Sequence, residues 1–226
     1  MTRQLRSAWR PRKMRTVQIL GAAPNIERCP KALASDTERW CLNHHKIYEN
    51  HLFPAAVTTW TRWFNLHPRK QIDTLYPRAV GWWREQNKSI YLQEADPNIP
   101  ASRTFPRMEI QRAFAIHGAP MRYFTSSLAW CLAYAAMLEE FDRVELWGFY
   151  LSQTRAPIGD DTELRPGDSL HGRQRPCAAY WVKHLRDIGI DVWYQPEVET
   201  FGPFVPGDAE RYQGPLYGFE TKYGYV

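Results

Sequence analysis

Apolar and polar positions along this chain fall into short blocks with different periods. Val17-Gln18-Ile19-Leu20 is a nearly continuous apolar run that stops at Gly21 and Pro24, the signature of a buried β-strand ending in a turn. Arg39-Trp40-Cys41-Leu42 predicts a second strand delivering Asn43. Val57 to Phe64, rich in β-branched and aromatic residues, predicts a third delivering Asn65. Ser89 to Gln93 predicts a fourth. Residues 31–39 read as a short polar helix or loop, and Met108 to Ile116 as a short helix. Pro97, Pro100 and Pro106 mark residues 94–107 as an irregular surface loop.

In the second half, Leu128, Cys131, Leu132, Ala135, Ala136 and Leu138 recur at helical spacing behind Thr125 or Ser126 as the capping residue. Asp142 to Trp147 predicts a strand ending at Gly148. Residues 151–172 contain Pro157, Gly159, Pro166 and Gly167 and predict a mobile loop or lid. Arg175 to Ile188 predicts a helix stopped by Gly189, followed by a strand from Ile190 to Tyr194. The last thirty residues, with Pro203, Pro206 and Pro215, read as an irregular segment packed back on the body.

Strands alternating with helices predict an α/β fold, a mainly parallel sheet in a single domain. Ligands of such sheets sit at the carboxyl ends of the strands. The turn Gly21-Ala22-Ala23-Pro24-Asn25, with backbone N–H groups turned toward an anion, is therefore a candidate phosphate contact. Asn43 and Asn65 stand at matching positions on successive strands. A strand-end asparagine also bonds its own backbone readily, so both readings stay open.

The 10 Trp, 12 Tyr and 10 Phe in 226 residues place much of the burial in aromatic packing. Arg3, Arg6, Arg10, Arg12, Lys13 and Arg15 make the start of the chain a basic arm. Removing those six from the 29 Lys and Arg residues leaves 23 bases against 24 acids, so the pI near 9.0 is a property of the arm. Residues 1–14 are expected to be a flexible arm, either solvated or placed on an anionic partner, with residues 15–226 forming the domain. No apolar stretch follows the arm as in a secretory leader, and no apolar run approaches the roughly 18–20 residues of a membrane span.

Cys29, Cys41, Cys131 and Cys177 form no close pair, which suits a cytoplasmic protein without a disulfide framework. Cys41 with His44 and His45 comes nearest to a soft metal set, and Asp160, Asp161 and Glu163 to an acidic one. A loop histidine pair and solvated loop charges are the alternatives, and neither metal nor cofactor is expected. The single glycine of the first turn argues against a dinucleotide fingerprint, and there is no phosphate-binding G-x-x-x-x-G-K-[ST].

The order of Ile19 to Asn25, Cys41-Leu42-Asn43, Phe64-Asn65, Thr125-Ser126-Ser127, Val144 to Gly148 and His171 resembles bacterial sialyltransferases of glycosyltransferase family 42. It also resembles the wider Rossmann-like set that includes pterin diphosphokinase-like and phage proteins. The resemblance spans roughly residues 16–194 by order and spacing. It implies that Gly21, Ala22, Pro24, Asn25, Asn43, Asn65, Thr125 and Ser126 hold the nucleotide of a nucleotide-sugar. It further implies a metal-independent transfer with His171 as general base, the leaving phosphate being stabilised by helix N-termini or by Arg173 and Arg175. Ser127 and Ala23 stand where that family has glycine, and Gly148-Phe149-Tyr150-Leu151-Ser152 lacks its acid. A different donor, or nucleotide binding without catalysis, as in a phage protein that captures a nucleotide signal or serves virion assembly, is the alternative these departures leave open.

Overall fold

The structure, a computed structural model, describes residues 14–43, 55–75, 77–149, 170–195 and 206–219. Strands β1 (Thr16–Leu20), β2 (Thr37–Leu42), β3 (Arg62–Asn65), β4 (Ile90–Leu92), β5 (Ser102–Thr104), β6 (Arg143–Trp147) and β7 (Asp191–Tyr194) form one sheet in the order β5-β4-β3-β2-β1-β6-β7. Every pairing is parallel. The fold is a Rossmann-like α/β sheet flanked by helices, and all seven carboxyl ends lie along one edge.

Alternation along each strand divides the core between the two faces. Val17, Ile19, Trp40, Leu42, Phe64, Val144, Leu146 and Val192 point to the first face. There they meet α3 (Arg107–Ala113), α4 (Ser127–Leu138) and α5 (Leu170–Asp187). Helix α4 is buried from Ser127 to Ala136, and its alanines let it lie close on the sheet. Phe124 stacks on Trp130 with ring centroids 3.6 Å apart and on Trp181 at 5.2 Å, anchoring the start of α4.

Leu20, Cys41, Trp63, Ile90 and Leu92 point to the second face. They are covered by two 3-10 turns (Pro24–Arg28 and Ala55–Thr59), α1 (Arg69–Leu75) and α2 (Pro77–Arg84). Arg39 is fully buried among them. Its guanidinium donates to Gln18 Oε1 at 2.6 and 2.9 Å, to the carbonyls of Pro30 and Ala56 at 2.8 Å, and to Thr59 Oγ1. Burial lowers its pKa. Acceptors fixed on β1 and on the two connections that flank β2 let a charge stay in the interior.

Several elements differ from the sequence reading. Residues 57–59, assigned to the third strand, belong to a 3-10 turn, because Ala56 and Thr59 give their oxygens to Arg39 and β3 begins at Arg62. The supposedly irregular stretch 94–107 contains β5, held on β4 by the register Ile90↔Ser102 to Leu92↔Thr104. Its prolines fall before and after the strand, which an edge strand tolerates. Helix α5 starts at Leu170 and not at Arg175, so Pro176, a residue suited to a first turn, lies inside it. Helices α1 and α2 fill a stretch to which the sequence reading gave no structure.

Connections after β1, β2 and β3 run over the second face, whereas β6 leaves over the first. The chain thus turns opposite ways on either side of the β1–β6 pair. This is the topological switch point, where an open parallel sheet leaves a crevice at its carboxyl edge. No helix among the described residues is long and apolar enough to cross a membrane.

Candidate functional site

Four strand ends build the edge. Asn65 closes β3, Asn43 follows β2, Gly21 follows β1 and Gly148 follows β6. At about 4.8 Å per strand this row spans roughly 14 Å, the length of a mononucleotide. Asn43 extends the ladder by donating its N–H to the Phe64 carbonyl at 3.1 Å, and it adopts the left-handed region with φ of 47°. Asparagine tolerates that conformation better than most residues.

Each asparagine has a defined hydrogen-bond deficit. Asn65 is fully buried, and its Oδ1 accepts from the His67 N–H at 3.2 Å, while Nδ2 has no partner among the described residues. The backbone N–H can only donate, so the amide orientation is settled and Nδ2 stays behind as a buried donor. Asn43 Nδ2 donates to Ser127 Oγ at 2.8 Å and leaves a buried Oδ1 unmatched. Asn25, in the 3-10 turn after β1, is more than nine-tenths buried, and neither amide atom is matched among the described residues.

Turn 21–25 corrects one expectation. Gly21 N–H donates to the Trp147 carbonyl and Ala23 N–H to the Gly148 carbonyl, both at 2.8 Å, so these two groups do not face an anion. The β1–β6 ladder simply continues past Leu20. A Cβ on Gly21 would lie 2.3 Å from the Gly148 carbonyl oxygen, and one on Gly148, where φ is 72°, 2.7 Å from that of Gly21. Ala22 is exposed and Pro24 opens the 3-10 turn.

Helix α4 also begins at this edge. Ser126 caps it by accepting from Ala129 N–H at 3.1 Å, and the Asn43–Ser127 bond places its first turn on the edge. Thr125 is buried beside it and hydrogen-bonds Cys177, whose thiol burial pushes up to about 12.

Helix α5 descends from the same edge. Its 18 residues span about 27 Å at 1.5 Å each, against about 16 Å for the 5 residues of β6. The excess carries the first turn of α5, with the backbone of His171, above the strand ends. The side chains of His171 and Arg173 lie outside the described residues, as do residues 151–169 of the expected lid. Arg175 is half-buried and engaged.

Two residues that the sequence reading passed over belong to this edge. His67, two residues beyond Asn65, is held neutral: burial drops its pKa to about 4 against a hydrogen bond with Gln71 that raises it. Gln195, just beyond β7, lies between the turns after β1 and β6. For the metal candidates, Cys41 is sealed in the second-face core, while His44, His45, Asp160, Asp161 and Glu163 lie outside the described residues.

No family model matches the chain, and no curated protein matches it. Solved structures of sialyltransferases are among those similar to the chain. The sialyltransferase CstII from Campylobacter jejuni, in complex with the substrate analogue cytidine-5'-monophosphate, is 12% identical over 93% of this chain and 88% of that one, with a TM-score of 0.46. The sialyltransferase CST-II in complex with trisaccharide acceptor and CMP is 13% identical over 80% of each chain, also at 0.46. What the edge can do is read from its own groups.

Proposed function

We propose that this protein binds a nucleotide across the carboxyl ends of β3, β2, β1 and β6, and that it transfers a glycosyl group from a nucleotide-sugar without a metal. The supporting observation is the set of unmatched amide atoms on Asn25, Asn43 and Asn65, three positions along one edge at the switch point. A buried polar atom without a partner costs roughly 1–3 kcal/mol. Three such residues along one strand-end edge are accounted for by a ligand that brings its own donors and acceptors, as the edge of a base and the hydroxyls of a ribose do.

The rest of the proposed site builds on that edge. The phosphate sits at the first turn of α4, where N–H groups and the helix dipole favour negative charge. His171, carried above the edge by α5, takes the proton of the acceptor hydroxyl as that oxygen attacks the anomeric carbon, and the nucleotide leaves with the bonding pair. Arg173 and Arg175 lie within the next turn of the same helix and offset the charge that develops on the phosphate.

Calorimetric titration with CMP, UMP, AMP and GMP, followed by turnover assays with the matching nucleotide-sugars, tests this. Binding should occur with at least one nucleotide, and His171→Ala should lower turnover by roughly 10²–10⁴-fold with affinity held within a few-fold. Binding without turnover, whatever the acceptor, would leave a nucleotide-binding protein that is not a transferase.

A further inference from the structure

We propose that Gln195 is a positioning residue for this site, acting through Asn25; the inference rests on the nucleotide-site reading. Its side chain is 2% exposed and enters from the sheet's outermost strand on that side, one residue past β7. Nε2 donates to the Asn25 carbonyl at 2.9 Å, and Oε1 accepts from the Gly148 N–H at 3.1 Å. Because one partner can only accept and the other can only donate, the amide has a single workable orientation. One side chain thus ties together the connections after β1, β6 and β7.

The consequence falls on Asn25. The turn that carries it is a 3-10 segment without a side-chain cap, the kind of short element that does not hold its own geometry. Close contact between Gly21 and Gly148 and the bond from Ala23 N–H to the Gly148 carbonyl fix the turn up to two residues before Asn25, and the Asn25 carbonyl itself is held by Gln195. The Gln195 bond to its carbonyl fixes the main chain at that residue and so the direction in which the two unmatched amide atoms face. Affinity gained from Asn25 therefore depends on Gln195, although Gln195 itself touches no ligand.

The full-length protein, Gln195→Leu, Gln195→Glu, Asn25→Ala and the double variant Gln195→Leu with Asn25→Ala are titrated with CMP, UMP, AMP and GMP, with thermal unfolding of each recorded. Gln195→Leu keeps the bulk and loses both bonds; it should weaken nucleotide binding roughly 10- to 100-fold. Gln195→Glu keeps the acceptor for Gly148 and loses the donor to Asn25, so it should weaken binding nearly as much, and it supplies a second variant should the first not fold. With Asn25 already removed, Gln195→Leu should weaken binding by less than about twofold more, the non-additivity expected of residues acting in series. Hydrogen exchange at residues 23–28 should speed up in both Gln195 variants without any ligand. Unchanged affinity in the Gln195 variants, or effects that multiply in the double variant, would overturn the positioning role and leave the nucleotide site standing. A wild-type chain that binds none of the four nucleotides would overturn the site, and the positioning role with it.

Discussion

On the β1–β6 side of the carboxyl edge the chain removes side chains; on the β2–β3 side it supplies them. Gly21 and Gly148 meet backbone to backbone, with the ladder from Gly21 and Ala23 to β6 binding the two turns into one rigid seam. Asn43 and Asn65 each spend half of an amide on the protein, one on Ser127 and the other on the His67 N–H, and keep the other half. The difference separates two ways of preparing a site. The seam is a matter of folding, so damage there costs stability and function together, whereas the amides are held by single bonds and can be removed at little cost to the fold.

The seam should give the largest effect. Gly148→Ala puts a Cβ 2.7 Å from the Gly21 carbonyl oxygen in a left-handed conformation, and both neighbours are backbone or buried side chain. A loss of about 2–4 kcal/mol is expected from the overpacking and backbone terms together. Denaturant unfolding measures it, and nucleotide binding should go with it. A variant of wild-type stability would show that the seam is looser than the contact implies.

An intermediate effect should come from His67, on the amide side. Its folded pKa of about 4 lies below the ordinary 6.5, so the unfolded chain takes up the proton first. Stability from this residue is complete above pH 6.5 and is lost as the pH falls toward 4, by roughly 2–3 kcal/mol. Urea midpoints of wild type and His67→Gln over that window provide the comparison. The variant should show the shallower fall, and parallel curves would mean that His67 titrates normally.

The smallest change in stability is expected at Asn43, where glycine accepts φ of 47° without strain. Asn43→Gly should alter stability by less than about 1 kcal/mol, since the bond to Ser127 is lost while the backbone relaxes. It should nevertheless weaken nucleotide binding at least severalfold. Equal affinity in this variant and the wild type would remove the Asn43 Oδ1 from the site.

Much of this arrangement is legible locally. Apolar runs ending at Gly21, Asn43, Asn65 and Gly148 mark strand ends without reference to the rest of the chain, because a parallel strand buried on both faces leaves a continuous apolar stretch and its turn leaves a small or polar residue. Ser126 is equally plain as a cap before an apolar helix. Short elements are not: β5 has three residues between prolines and exists because β4 offers it a ladder. The two readings of Asn65 were never exclusive, since its oxygen bonds the local backbone and its nitrogen does not.

The sequence by itself therefore determined the class of fold, the edge on which the candidate groups would gather and the residues that end most of its strands, since these follow from period, turn chemistry and burial within ten or so positions. Only the tertiary structure decided which strands are neighbours, that the switch falls between β1 and β6, and that Gly21 and Ala23 of the first turn give their N–H groups to Trp147 and Gly148. Gln195 belongs wholly to that second class. Its partners lie 47 and 170 residues away along the chain, and no local pattern encodes a hydrogen bond whose ends are brought together by the packing of three separate connections.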